Sequence, residues 1–186
     1  MEAGLAEKTD EELAVLVQGK NEQALGVLIS RYQPKFMRYG RRFLSNTAHI
    51  EDAMQEIFIK TYQNIQSYDA TRPFSPWMYR IAHNTFANML RKNSRSPFIA
   101  VDLDLFSAHT AYEIDPAGEE EQREMQLFIE SGLAALAPRY REVIVLHYIE
   151  NLGYQEIADV LHIPIGTVGI RLHRARQALK NYVENG

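Results

Sequence analysis

The sequence predicts an all-α protein: two small helical domains joined by a flexible linker, the C-terminal one a helix-turn-helix. Three observations carry this. Apolar residues recur at helical spacing over most of the 186 residues, with no sustained β alternation and no internal repeat. The periodicity fails from Asn93 to Glu121, where Asp102, Asp104, Glu113, Asp115 and Glu119 to Glu121 surround the breaker Pro116-Ala117-Gly118. It then returns and finishes in two helices joined by a tight turn. The expected organisation is a domain over 1–94, an acidic linker over 95–121 and a second domain over 122–186.

Composition narrows the function classes. A hydrophobic share of 46% supports packed cores rather than disorder. A net charge of −4 means that any nucleic-acid binding must come from local patches. Cysteine is absent, which excludes disulfides and thiolate metal sites and fits a cytoplasmic protein. No apolar run is long enough to span a bilayer, and the N-terminus lacks the pattern of a signal peptide. An enzyme is not expected. His49-Ile50-Glu51 echoes the His-x-Glu of zinc deaminases, but the cysteine pair that completes such a site cannot exist here. The six histidines form no His-x-x-x-His pair, and no Walker-type phosphate loop occurs. No metal or cofactor is called for.

In chain order, Thr9 to Glu12 is a capping box ahead of a helix that buries Leu13, Leu16 and Val17. Gly19-Lys20-Asn21 breaks it, and Asn21 caps a second helix with Ala24, Leu25, Leu28, Ile29 and Tyr32 inward. Pro34 should kink or restart that helix before Phe36, Tyr39, Phe43 and Leu44. Arg31, Lys35, Arg38, Arg41 and Arg42 stand in a stretch without acids; on the residues alone a solvated face is favoured over a phosphate-binding one. Asn46-Thr47 opens a helix to about Ile65, with Ala53, Met54, Ile57 and Phe58 inward and Asp52, Gln55 and Glu56 outward. Gln66 to Pro76, with Tyr68-Asp69 and two prolines, reads as a loop. Helix resumes at Trp77 and continues to Arg91-Lys92, with Trp77, Ile81 and Ala82 inward. After the linker, a helix from about Gln122 should bury Met125, Phe128, Ile129 and Leu133, and Pro138 to Glu142 opens the next.

The last pair of helices carries the clearest signal. Ile157, Ala158 and Leu161 form an apolar stripe, Gly153 is the N-cap, and Glu156 suits the positive end of the helix dipole. His162-Ile163-Pro164 ends the first helix, because a residue before proline is pushed out of the α region, and Pro164 opens the second. In that second helix Val168, Leu172, Ala175 and Leu179 point inward, while Gly166, Ile170, His173 and Gln177 lie opposite, with Arg174 beside them. From Ile165 to Tyr182 the charges are Arg171, Arg174, Arg176 and Lys180, all basic. This is the arrangement that enters a DNA major groove, though an ordinary helical hairpin with a basic face shares it.

Three sets of residues then resemble the extracytoplasmic-function (ECF) branch of bacterial RNA polymerase sigma factors. They are Glu51 to Phe58, Phe74 to Asn84, and the run from Tyr154-Gln155-Glu156-Ile157-Ala158 through Ile163 to Val168 to Arg171-Leu172-His173-Arg174-Ala175-Arg176. The resemblance implies that 1–94 is sigma region 2 and 122–186 sigma region 4. It implies that Asp52, Gln55, Glu56 and Phe58 dock on core RNA polymerase. It implies that Tyr68, Arg80, Asn84, Asn88, Arg91 and Lys92 engage promoter DNA at the −10 element and hold its non-template strand, where extruding a base costs a few kcal/mol of stacking. Thr167, Gly169, Ile170, Arg171, His173 and Arg174 are implied to meet the −35 duplex, and an anti-sigma factor is an implied partner. Three positions depart from the family pattern. Asn88 stands where many relatives carry Asp, and Gly169-Ile170 where they carry a basic residue and Ser. The competing expectation is a stand-alone helix-turn-helix regulator, which would need its own dimer interface.

Overall fold

The computed structural model describes residues 3–44, 46–93, 128–129 and 131–185. The described residues contain helices and no strand, and the chain divides into two compact units, Met1–Pro97 and Phe98–Gly186. The expected acidic linker over 95–121 lies outside the described residues, as does Met125.

The first unit contains α1 (Ala3–Ala6), α2 (Asp10–Gln18), α3 (Glu22–Gly40), α4 (Thr47–Asn64), a 3-10 turn (Ile65–Ser67) and α5 (Phe74–Asn93). The predicted caps are present. Thr9 Oγ1 accepts from Glu12 N at 3.2 Å while Thr9 N donates to Glu12 Oε2 at 2.8 Å. Asn21 Oδ1 accepts from Ala24 N at 2.9 Å. Pro34 does not restart α3. It sits on the solvent side, and the helix runs through it because Tyr32, Phe36 and Tyr39 hold the opposite side in the core.

An aromatic seam joins α3 to α5. Tyr32 meets Phe74 edge-on at 5.8 Å, Phe36 meets Tyr79 at 5.2 Å, and Tyr39 meets Tyr79 at 5.5 Å and Phe86 at 6.2 Å. The buried phenols have partners: Tyr32 donates to Asp10 Oδ2 at 2.7 Å, and Tyr39 pairs with His83 Nδ1 at 3.1 Å. Burial, then the Asp10 charge, pushes the Tyr32 phenol far above its ordinary range. Asp10 is itself clamped by Arg31 at 2.6 Å. That removes Arg31 from the basic stretch, and Arg42 is buried as well, so the five cations do not form one continuous exposed face.

The register of α5 corrects the sequence expectation. Phe74, Met78, Tyr79, Ala82, Thr85 and Phe86 are buried, whereas Trp77 and Ile81 lie one step around the helix and are half-buried. The loop is also shorter than Gln66 to Pro76: only 68–73 lies between the 3-10 turn and α5. Pro76 falls in the first turn of α5, where a missing N–H costs nothing. The N–H of Phe74 is taken by Glu11 Oε1 of α2 at 2.9 Å, an end-cap supplied from another helix.

The second unit contains a helical segment 131–135, α6 (Pro138–Ile144) continued by a π turn (Val145–Ile149), α7 (Tyr154–Leu161) and α8 (Ile165–Asn185). Arg141 explains the junction before α6. It is buried, and it donates to the carbonyls of Leu133 (2.6 Å), Ala134 (2.7 Å) and Leu136 (3.1 Å), which the end of a helical segment leaves without intrahelical partners. Leu133 and Gly132 are buried as part of this junction, but Phe128 and Ile129 are exposed, contrary to the predicted buried stripe.

The turn between α7 and α8 differs in mechanism from the expectation. His162, not the pre-proline Ile163, takes the left-handed conformation, with φ 53° and ψ 44°. Its N–H and that of Ile163 both reach the Ala158 carbonyl, closing α7. Pro164 is the cap residue rather than the first helical one, and its carbonyl accepts from Thr167 N at 2.8 Å. Val160, not Leu161, completes the buried stripe of α7 with Ile157 and Ala158.

Candidate functional site

Three surfaces collect the predicted residues, two on the first unit and one on the second. The first is the outer side of α4. Asp52 and Gln55 are exposed and Glu56 is half-buried, its Oε1 held by Lys60 Nζ at 2.6 Å. Lys60 also reaches Thr85 Oγ1 of α5 at 3.2 Å, so the Glu56 carboxylate is fixed rather than free to swing. Ile59 and Tyr62 share this face and are 57% and 47% exposed. At 100° per residue Ile59 falls between Asp52 and Gln55, so the face has an apolar centre and a polar edge. Sequence reasoning missed both residues. Phe58 is placed differently from Ile59: its ring lies 6.2 Å from Phe36, on the core side of the helix.

The second surface runs along α5. Arg80, Asn84, Asn88 and Arg91 follow one another at spacings of four, four and three, and all are exposed, as is Lys92. Arg91 donates to Asn88 Oδ1, so the neutral amide keeps the local link that a carboxylate would make by charge. At the N-terminal end of this row is the loop 68–73, and it is braced from inside. Gln18 Nε2 donates to the carbonyls of Ile65 and Tyr68, each at 2.9 Å. Asp69 Oδ1 accepts from Thr71 N and Thr71 Oγ1, and these bonds hold its carboxyl below the usual range.

Tyr68 is the least accessible of the residues expected at the −10 element. Its ring is only 5% exposed, packed at 5.1 Å from Phe74 and 5.5 Å from Trp77, and its hydroxyl donates to the Arg72 carbonyl at 2.5 Å. Burial pushes the phenol up to about 12, with the Glu11 charge adding to it. Tyr68 is a strut that shapes the loop. Residues 69–73, Arg72 among them, are exposed at this end of the unit, and Trp77 beside them is half-buried.

The third surface is on α8. Ile170 is 57% exposed, His173 and Arg174 are exposed, and Thr167, Gly169 and Arg171 are half-buried. Gly169 faces Tyr154 of α7, yet an added Cβ would stand 3.9 Å from that ring, an ordinary contact. Arg174 Nη1 lies 3.5 Å from the Tyr140 hydroxyl of α6. The start of α7 is held by Glu156 Oε2 accepting from Gly153 N at 2.6 Å. Among the described residues no three His, Asp or Glu side chains gather as metal ligands would, and no helix is long and apolar enough to cross a membrane.

Comparison with known proteins matches this geometry to a family. Residues 28–96 match the model of Sigma-70 region 2, and 129–179 that of Sigma-70 region 4. The chain is 34% identical over 175 residues to the ECF RNA polymerase sigma factor SigW of Bacillus subtilis, covering 91% of this chain and 94% of that one. It is 33% identical over 182 residues to the ECF RNA polymerase sigma-E factor of Haemophilus influenzae, covering 95% and 96%. Its fold resembles solved CnrH, in complex with the cytosolic domain of CnrY, with a TM-score of 0.66 at 24% identity over 95% of this chain and 97% of that one. It also resembles RpoE of Bartonella quintana, in complex with the anti-sigma factor NepR, with a TM-score of 0.63 at 22% identity over 88% and 96%. With two matched regions in the same order, and near-complete coverage of relatives more than 30% identical, the chain belongs to the ECF family of RNA polymerase sigma factors.

Proposed function

We propose that the chain docks on core RNA polymerase through the outer face of α4, opens promoter DNA at the −10 element with the loop 68–73 and α5, and reads the −35 duplex with α8. It acts as an initiation subunit in the cytoplasm, without catalysis of its own. An anti-sigma factor is a fitting regulator, since the solved relatives include complexes with one. The observation that carries the reading is the row Arg80, Asn84, Asn88, Arg91 and Lys92 beside a loop braced from within. A regulator that only needed its helix-turn-helix would have no use for such a row. A separated strand does, because its phosphates must be held once stacking is lost.

The test is strand opening. Asn84→Ala should reduce open-complex formation on a linear promoter with holoenzyme. On a template already mismatched across −10 the defect should largely vanish, because the melting cost is gone. Equal defects on both templates would remove the melting role.

The −35 helix gives a second test. Gly169→Arg has room beside Tyr154, replaces a residue costing about 1 kcal/mol of helix propensity, and should strengthen duplex binding across many sequences. Its salt slope should steepen by about one phosphate contact. Ile170→Ser should instead change which −35 sequence is preferred, since an exposed isoleucine on this face can meet a thymine methyl. Anisotropy of the full chain on matched and scrambled duplexes reads both; an unchanged preference in the Ile170 variant would show that this side chain does not read bases.

A further inference from the structure

Two arginines converge on one phenol at the surface of the second unit. The Arg139 guanidinium lies 5.0 Å from the centroid of the Tyr140 ring, and Arg174 Nη1 lies 3.5 Å from the same residue's hydroxyl oxygen. Arg139 and Tyr140 belong to the first turn of α6, and Arg174 to the middle of α8, so the cluster exists only because those helices pack together. Among the described residues neither arginine has a carboxylate within ion-pair distance. The contact to Arg174 is at the long end of hydrogen bonding, so it leaves the guanidinium fork almost unspent. The phenol accepts from Arg174 and keeps its own proton to donate outward. Arg174, then Arg139, draws the Tyr140 phenol below its ordinary range, which marks a positive local field.

Drawing two like charges together with nothing anionic between them opposes folding, and an oxyanion reverses the sign of that interaction. The donor set of two planar forks and a hydroxyl suits a phosphate oxygen pair better than a base edge. Position agrees. Arg174 is one turn beyond Ile170 on the same exposed side of α8, about 6 Å along the axis at 1.5 Å per residue. A recognition helix meets base edges with its N-terminal residues, so a side chain further along it stands nearer the backbone.

We propose that Arg139, Tyr140 and Arg174 form one clamp for a backbone phosphate of the DNA whose major groove α8 enters. This rests on the −35 reading given above and adds α6 to the DNA-binding surface. Because the clamp touches only backbone, it sets affinity and register without sequence choice.

The experiment uses holoenzyme assembled from the full chain and core RNA polymerase. Binding is measured on a duplex with a −35 sequence selected from a random library and on a scrambled one, from about 50 to 200 mM salt. Arg139→Ala should weaken both duplexes by a similar factor and lower the salt slope by about one. Arg139→Lys should restore the slope. Tyr140→Phe should weaken both duplexes while leaving the slope intact, since only a neutral donor is lost. Unchanged affinity and slope in Arg139→Ala, with the wild type still preferring the selected duplex, would overturn the clamp and leave the −35 reading standing. A wild type that forms holoenzyme but shows no preference between the duplexes would overturn the −35 reading instead.

Discussion

Phe86→Ala should destabilise the first unit by about 3–5 kcal/mol, a large share of the about 5–15 kcal/mol that such a domain has in all. The ring is fully buried, stacked on Phe43 at 5.5 Å and edge-on to Tyr39 at 6.2 Å. What makes the position unforgiving is the backbone beside it. A Cβ on Gly40, the last residue of α3, would stand 2.6 Å from two Phe86 ring atoms and 2.9 Å from Ile50 Cγ2. The glycine is there for close approach: its missing side chain lets the end of α3 rest against α4 and α5 at once. Gly40→Ala should therefore cost about 1–3 kcal/mol by overpacking, although alanine is the better helix former. The pair should not add. In Phe86→Ala the two shortest contacts are gone and only the Ile50 one remains, so Gly40→Ala should cost clearly less there. The chain's one tryptophan, Trp77, lies in this unit against Tyr68 and Phe74. Denaturant titration followed by tryptophan fluorescence thus reports this unit rather than the second. Additive losses, or a silent Gly40→Ala, would show that the approach is looser than the distances say.

Local chemistry was the most legible part of the sequence. The Thr9 and Asn21 caps, the apolar side of α8 and the outward Ile170, His173 and Arg174 all follow from spacing and hydrogen-bonding inventory, which act over four residues or fewer. Errors arose where a distant element decides. Helical spacing puts Trp77 inward with Ile81 and Ala82, yet Trp77 and Ile81 are half-buried. The seam is instead set by Tyr32, Phe36 and Tyr39 across on α3, which meet Phe74, Tyr79 and Phe86, while Met78 meets Thr61 of α4. The sequence starts α5 at Trp77 rather than Phe74 because the group that caps Phe74, Glu11, is 63 residues away. The packing of Tyr68 into its loop is likewise not legible from spacing, since it depends on Phe74 and Trp77 of α5. Nothing in the sequence marks Arg141 for burial, because its three carbonyl partners lie five to eight residues upstream across a helix junction. Ile59 and Tyr62 carried a usable signal, namely that they share the wheel position of Asp52 and Gln55. A lone isoleucine in a helix nevertheless reads as core by default.

Those two residues carry the second large effect. Ile59→Asp should lower affinity for core RNA polymerase by about 30-fold or more, the effect of removing a central hot-spot residue worth about 2 kcal/mol. Ile59 is the apolar centre of a face edged by Asp52, Gln55 and the Glu56–Lys60 pair. Water-excluded apolar centres hold a complex together, whereas charges at the edge mainly steer encounter and respond to salt. Asp52→Ala with Gln55→Ala should accordingly weaken binding less than Ile59→Asp, slow association, and lose its effect at high salt. Ile59→Asp should act on dissociation and persist there. The variant is expected to fold, since the side chain is 57% exposed. Circular dichroism and the Trp77 fluorescence should match the wild type. Association and dissociation rates of immobilised core enzyme, at low and high salt, separate the two contributions. If Ile59→Asp binds as the wild type does while the Asp52 and Gln55 pair abolishes binding, the α4 face docks by charge alone. If both bind normally, polymerase contact belongs to another surface.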